Sequence, residues 1–176
     1  MNSLYEGSAT ERNILRAFAL ESQARNKYTY FASVARNEGF EQIAEIFLKT
    51  ADNEKEHAKI WFKALGELGT TTTNLMHAAA SENEEWTEMY RTMAREADEE
   101  GFSDIADIMR GIADIEHSHE ERFRKYLHML ERHEIFTSEN SVVWICRNCG
   151  HVHFGREAPE ECPVCAHPIA FFERAH

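Results

Sequence analysis

One phrase occurs twice in this chain, and the repetition constrains everything else. Glu38-Gly39-Phe40, Ile43-Ala44, Ile46 and Ala51-Asp52-x-Glu54-x-x-His57 return as Glu100-Gly101-Phe102, Ile105-Ala106, Ile108 and Ala113-Asp114-x-Glu116-x-x-His119, every residue 62 positions on. On a helix, a three-residue step sets a carboxylate and an imidazole side by side on one face. A duplicated helix pair carrying matched Glu/His pairs therefore points to a two-metal site shared by its halves.

The surrounding periodicity predicts four long amphipathic helices. Ser8-x-x-Glu11 is a capping box that opens the first, which runs to about Asn37, where Gly39 can supply the left-handed closing residue. Its apolar line reads Ile14, Phe18, Glu21, Ala24, Tyr28, Phe31, Ala35. The second, about 41–65, reads Ile43, Phe47, Thr50, Glu54, His57, Trp61, Leu65. Asn74 is the expected cap of the third, with Leu75, Ala78, Glu82, Glu85, Met89, Met93 and Ala97 on one line; the fourth, about 103–132, carries Ile105, Met109, Ile112, Glu116, His119, Phe123, Tyr126 and Leu130.

If the two pairs point in opposite directions around a shared site, helix two ends about 16 Å below it and helix three starts about 12 Å above it. Residues 66–73, fully stretched, reach ~27–30 Å. The four threonines at 70–73 suit such an extended strap. The expected fold is thus mainly α, a ferritin-like four-helix bundle with a long crossover between helices two and three. Glu21 precedes Tyr28 by seven residues, whereas Glu82 precedes Tyr90 by eight. A π-bulge between 82 and 90 absorbs the extra residue.

Glu21, Glu54, His57, Glu82, Glu85, Glu116 and His119 form the inward polar set. Five carboxylates in an apolar interior cost several kcal/mol each unless cations compensate them, and no Arg or Lys lies on these lines. One Glu from each of two helices with Glu-x-x-His from each of the others is the di-iron or di-manganese pattern, with one carboxylate to spare. An isolated Glu-x-x-His is usually a solvated charge pair; duplication on apolar lines argues otherwise. Tyr28 and Tyr90 stand within reach as hydrogen-bonding partners of the carboxylates, with core aromatics as the alternative. Met89, Met93, Met109, Trp61, Trp86 and Phe123 read as core. His77, His117, His128, His133, His151, His153, His167 and His176 lack a ligand-spaced partner and read as surface residues.

The helical pattern stops near Glu134, and residues 137–141 read as a linker to a short strand, 142–145. All four cysteines follow, as Cys146-x-x-Cys149 and Cys162-x-x-Cys165, the spacing of a tetrahedral tetrathiolate for iron or zinc. The 176 residues suit one sizeable core and this small appendage, as domains 1–136 and 137–176. With 19 basic against 31 acidic residues the net charge is −12, which argues against nucleic-acid or anionic-membrane partners. The polar start shows no signal-peptide core and no apolar run approaches a membrane span, so the expected location is cytoplasmic, where clustered cysteines bind metal in preference to pairing.

Together the two constellations resemble the rubrerythrin family over essentially the whole chain. The resemblance is carried by Glu21-Ser-Gln-Ala-Arg-Asn-Lys-Tyr28, Glu82-Asn-Glu-Glu85-Trp-Thr-Glu-Met-Tyr90, Glu116-x-x-His119-Glu-Glu-Arg-Phe123 and Cys162-Pro-Val-Cys165-Ala-His-Pro168. It implies a di-iron bundle joined to a rubredoxin-like domain of short strands and loops holding one iron, with zinc as the alternative. The implied activity is reduction of hydrogen peroxide to water in oxidative-stress protection. Electrons are expected from NAD(P)H through a reductase or rubredoxin-type donor, then through the thiolate-bound iron. By the same resemblance Glu54 and Glu116 bridge the irons, Glu21 binds the first, and Glu82 and His119 bind the second. The first iron exchanges Glu85 for His57 on reduction, which makes Glu85, His57, Tyr28 and Tyr90 the candidate catalytic residues. A head-to-tail homodimer is implied as well. Ala166 departs from free rubredoxins, where Gly is usual. The competing readings are a ferroxidase or iron-storage protein and a non-catalytic zinc-stabilised interaction module.

Overall fold

A computed structural model of the chain describes residues 4–175, so His176, read above as a surface residue, lies outside the described residues. The chain divides into two compact units, residues 1–69 and 70–176. The first is a helical hairpin. Helix α1, Ala9–Asn37, is capped by Ser8, whose Oγ accepts from the Glu11 N–H at 3.0 Å, while the Glu11 carboxylate accepts from the Gly7 N–H at 2.7 Å. Gly39, at φ 85°, turns the chain: its N–H donates to the Arg36 carbonyl and the Phe40 N–H to the Ala35 carbonyl. Helix α2, Glu41–Ala64, then runs back along α1.

The second unit opens with a parallel construction. Helix α3, Thr71–Glu84, passes without a break through a π-helical turn, Glu85–Met89, into α4, Tyr90–Glu99. The bulge expected between Glu82 and Tyr90 is therefore present. Gly101, φ 86°, repeats the Gly39 turn, and α5, Ser103–Glu131, returns. His133, at φ 57°, closes α5 in a left-handed conformation.

Two expectations about connections are overturned. Thr70, not Asn74, caps α3, its Oγ1 accepting from the Thr73 N–H at 3.2 Å. Thr71–Thr73 accordingly belong to the helix and not to an extended strap: a hydroxyl at the cap satisfies a backbone N–H that water would otherwise have to take, and this outweighs the modest β preference of threonine. Residues 137–141 are likewise no linker. They begin strand β1, Thr137–Cys146, which pairs antiparallel with β2, Val152–Glu157, on one side and β3, Phe172–Arg174, on the other. The ladder is regular from Val142↔Gly155 to Ile145↔Val152 and shifts register between Thr137 and Val142. A short 3-10 turn, Ile169–Phe171, precedes β3.

What closes each hairpin is a line of alanines. Ala32, Ala35 and Ala44 are buried together in the first, Ala94, Ala97 and Ala106 in the second, each triplet matched by the offset of the repeat. Ala51 and Ala58 continue the first line, Ala113 the second. Small side chains let paired helices approach closely. The larger apolar residues of the predicted inward stripes sit one line over: Ile43 and Ile105 are exposed. In the C-terminal sheet the core is Trp144, Cys146, Ala158, Cys162 and Phe172, with the Trp144 indole N–H donating to the Gly155 carbonyl at 3.0 Å.

Candidate metal centres

Three clusters of potential ligands stand among the described residues, and each combines residues singled out from the sequence. In the first hairpin, Glu21 of α1 meets Glu54 and His57 of α2, with one ligand atom from each within 4.8 Å of the others. His57 Nδ1 lies 3.0 Å from Glu54 Oε2 and 3.7 Å from Glu21 Oε2. Glu21 hydrogen-bonds Glu54, is partly desolvated and faces its charge, so its carboxyl is held above the usual range; Glu54, bonded to Glu21 and His57, lies below it.

The second hairpin builds the same triad from Glu82 of α3 with Glu116 and His119 of α5. His119 Nδ1 is 2.6 Å from Glu116 Oε2 and 3.8 Å from Glu82 Oε1. Burial, a hydrogen bond to Glu116 and the charges of Glu116 and Glu85 push Glu82 upward. The donor sets, two carboxylates and one imidazole each, suit iron or manganese.

Glu85 stands outside the triad and, at the start of the π turn, accepts from the Ser81 hydroxyl at 3.4 Å. Tyr90 immediately follows that turn; burial and the charges of Glu85, Glu116 and Glu82 raise its pKa, so the phenol keeps its proton beside them. Tyr28 has different surroundings, its ring centroid 6.3 Å from Phe31 and 6.2 Å from Phe47. The structure thus puts Tyr90 in the field of the carboxylates and Tyr28 in an aromatic cluster.

Glu120 escaped the sequence reading. It is the one buried charged residue among those described, 6% exposed, and it accepts from Asn83 Nδ2 at 3.0 and 3.1 Å, Trp86 Nε1 at 2.5 Å and Arg124 Nε at 2.5 Å. Burial opposes its charge, but these donors and the Arg124 charge prevail and hold its pKa down to about 2. Trp86 lies in the π turn, and its ring also packs on His117 at 4.4 Å. Glu120 therefore ties the π turn to α5. The signal was available: Glu120 continues the seven-residue line Ala106, Ala113, and stands 62 residues after the buried Ala58.

The third cluster is Cys146, Cys149, Cys162 and Cys165. Two matched knuckles present the sulfurs. In the first, the Cys146 N–H donates to the His151 carbonyl at 2.9 Å and the Gly150 N–H to the Cys146 carbonyl at 2.8 Å; in the second, the Cys162 N–H donates to His167 at 2.8 Å and the Ala166 N–H to Cys162 at 2.9 Å. Gly150 adopts φ 77°, and Ala166 is held at φ 55° by the same turn. Sγ–Sγ distances of 3.7 Å, Cys146 to Cys165, and 3.6 Å, Cys149 to Cys162, are far too long for disulfides and close to the ~3.8 Å edge of a tetrahedron with ~2.3 Å metal–sulfur bonds. The His151 N–H favours the Cys149 thiolate, yet hydrogen bonds among the crowded sulfurs and desolvation push it up to about 12. The His167 N–H, foremost, lowers Cys165. Four thiols packed this closely are a ligand set awaiting positive charge.

Residues 12–127 match the rubrerythrin family, and residues 144–173 match the rubredoxin-like domain of rubrerythrin. Among characterised relatives, the chain is 48% identical to a rubrerythrin of Porphyromonas gingivalis, covering 98% of this chain and 93% of the relative. It is 48% identical to a rubrerythrin of Nitratidesulfovibrio vulgaris, covering 98% and 97%. Rubrerythrin-1 of Clostridium acetobutylicum is 43% identical, with 98% and 97% covered. No helix of the described residues is long and apolar enough to cross a membrane.

Proposed function

The chain belongs to the rubrerythrin family of di-iron and rubredoxin-like iron proteins, and from that premise we propose that it is a peroxidase reducing hydrogen peroxide to water. The observation that carries the reading is the presence, in one chain, of two carboxylate–histidine triads and a tetrathiolate. A storage protein needs no one-electron relay, and an interaction module needs no clustered carboxylates held against their own repulsion. When bound, paired irons supply two electrons for the reaction H2O2 + 2 e⁻ + 2 H⁺ → 2 H2O, and a thiolate-bound iron restores them one at a time.

The residues define the rest. Glu54 and Glu116 would hold both ions, with Glu21 at one position and Glu82 and His119 at the other. Glu85 and His57 would serve as alternative ligands at the first position, since a ferric ion favours an anionic oxygen and a ferrous ion accepts a neutral nitrogen. Tyr90 keeps its proton beside this cluster, in the field of Glu85, Glu116 and Glu82. Tyr28, on the first helix pair, packs against Phe31 and Phe47. The setting is cytoplasmic, the partners are hydrogen peroxide and a rubredoxin-type or reductase donor fed by NAD(P)H, and the working assembly is a homodimer.

Stopped-flow mixing of reduced, iron-loaded protein with peroxide tests the reading: both iron chromophores are expected to oxidise rapidly, and oxygen-dependent mineral growth without peroxide consumption would overturn it. Glu85→Ala is expected to retain both bundle irons yet lose about tenfold or more in turnover. Wild-type turnover in the metal-replete variant removes Glu85 from the mechanism.

A further inference from the structure

Each residue of the Glu120 cluster that bonds from one helix to the other comes directly after a candidate ligand. Asn83 follows Glu82, Trp86 follows Glu85 and Glu120 follows His119. In an α-helix the next residue is turned by ~100°, so the cluster occupies the face beside the ligands and not the ligand face itself. One peptide unit joins each pair of neighbours. A movement of the π-turn backbone that carries the Glu85 carboxylate along must therefore also strain the bond between Trp86 and Glu120.

The bonds restrain slide and rotation together. Asn83 Nδ2 donates to both Glu120 oxygens, at 3.1 and 3.0 Å, and Trp86 Nε1 donates to Oε2 at 2.5 Å. A single bond would leave a pivot; donors from successive turns of one helix, meeting one carboxylate of another, do not. The carboxylate is itself fixed by Arg124 Nε, at 2.5 Å and one turn further along α5. Hydrogen bonds to a charged acceptor are roughly twice as strong as neutral ones. The Trp86 ring is gripped from two more sides, by His117 with centroids 4.4 Å apart and by the Arg91 guanidinium 5.2 Å from its centroid. Inside the turn, the Thr87 hydroxyl donates to the Asn83 carbonyl at 2.6 Å. The Glu85 side chain is held far less firmly, accepting from Ser81 at 3.4 Å. The second pair thus joins a clamped backbone to a loosely held carboxylate. In the first pair Ser22, which follows Glu21, donates instead to the Phe18 carbonyl of its own helix at 2.7 Å.

We propose that Glu120 is a positioning residue for Glu85. Through Trp86 and Asn83 it holds the backbone of the π turn at one height and one rotation against α5, so that only the Glu85 side chain swings toward and away from a metal. The proposal rests on the peroxidase reading above and deepens it. Glu120 is no ligand in this scheme, and its effect on turnover passes through Glu85. A π turn without the clamp would present the same carboxylate from a shifting backbone, and productive ligation would become one geometry among several.

The test is a double-mutant cycle on the iron-loaded, full-length protein. Glu120→Ala is expected to lower kcat for peroxide about tenfold with KM within about twofold, and to change kcat by less than about twofold once Glu85→Ala is present. Mössbauer spectra supply a readout independent of turnover. Because Glu85 is assigned to the oxidised ion, Glu120→Ala is expected to move the oxidised spectrum toward that of Glu85→Ala and to leave the reduced spectrum as in wild type. A merely structural residue would disturb both oxidation states and cost the same in both backgrounds. Trp86→Phe removes one donor while keeping an aromatic ring, and it carries the same expectations at about threefold in kcat should the alanine variant lose iron or fold poorly. Equal losses with and without Glu85, or a wild-type oxidised spectrum in Trp86→Phe and Glu120→Ala, overturn the positioning role and leave the functional reading standing. Expected spectral changes in a protein whose wild type consumes no peroxide overturn the functional reading and leave the positioning role.

Discussion

In the first helix pair the residue after His57 is Ala58; in the second the residue after His119 is Glu120. Both positions are buried, yet one is a methyl group against its partner helix and the other a carboxylate holding three side chains. The side chain of His57 is 53% exposed, that of His119 37%. The duplicated phrase has thus diverged in one direction: the second copy has a π turn, a third carboxylate at Glu85 and an anchor that fixes that turn, while the first keeps a plain helix. Where a site must hold one ion permanently and let the other change ligands, this is the asymmetry that serves.

The largest effect is expected from erasing that difference. Deleting Thr87 leaves helix three the α-helical count of helix one and turns Glu82 by ~100° about the axis relative to Tyr90. About one of the two bundle irons is then expected to be lost. Full iron by metal analysis in the deletion variant would show that the π turn does not set the ligand line.

The anchor comes next. Glu120→Ala leaves the partly buried Trp86 indole N–H and Asn83 amide without their acceptor, a cost of about 2 kcal/mol. At the matching position Ala58→Gly costs only the helix-propensity difference, about 1 kcal/mol. Urea unfolding followed by tryptophan fluorescence measures both; equal losses would mean that Glu120 is no more than a space-filler.

The smallest effect concerns the other imperfect duplication, the two cysteine knuckles. Gly150 and Ala166 occupy equivalent turns with positive φ, and no atom stands within 4 Å of a Cβ built on Gly150, so conformation alone separates them. Ala166→Gly is expected to stabilise the tetrathiolate domain by about 1 kcal/mol and Gly150→Ala to destabilise it by a similar amount. Thermal melts of the metal-loaded protein, monitored at the thiolate band, check the pair, and changes of the same sign would contradict this account.

Much of this was written locally. The 62-residue repeat, the helix lengths, the Gly39 and Gly101 turns, the π turn between Glu82 and Tyr90, and the membership of both triads and of the tetrathiolate all follow from spacing along the chain, because helical period, left-handed closure and ligand geometry are short-range properties. What the sequence alone left open depends on competition between distant groups. The role of Glu120 required Asn83 and Trp86 to arrive from another helix. That the alanine lines, and not the larger apolar stripes, close each pair depended on how nearly two helices can approach. And whether Thr71–Thr73 extended or joined α3 was decided by one capping hydroxyl, that of Thr70, which accepts from the Thr73 N–H.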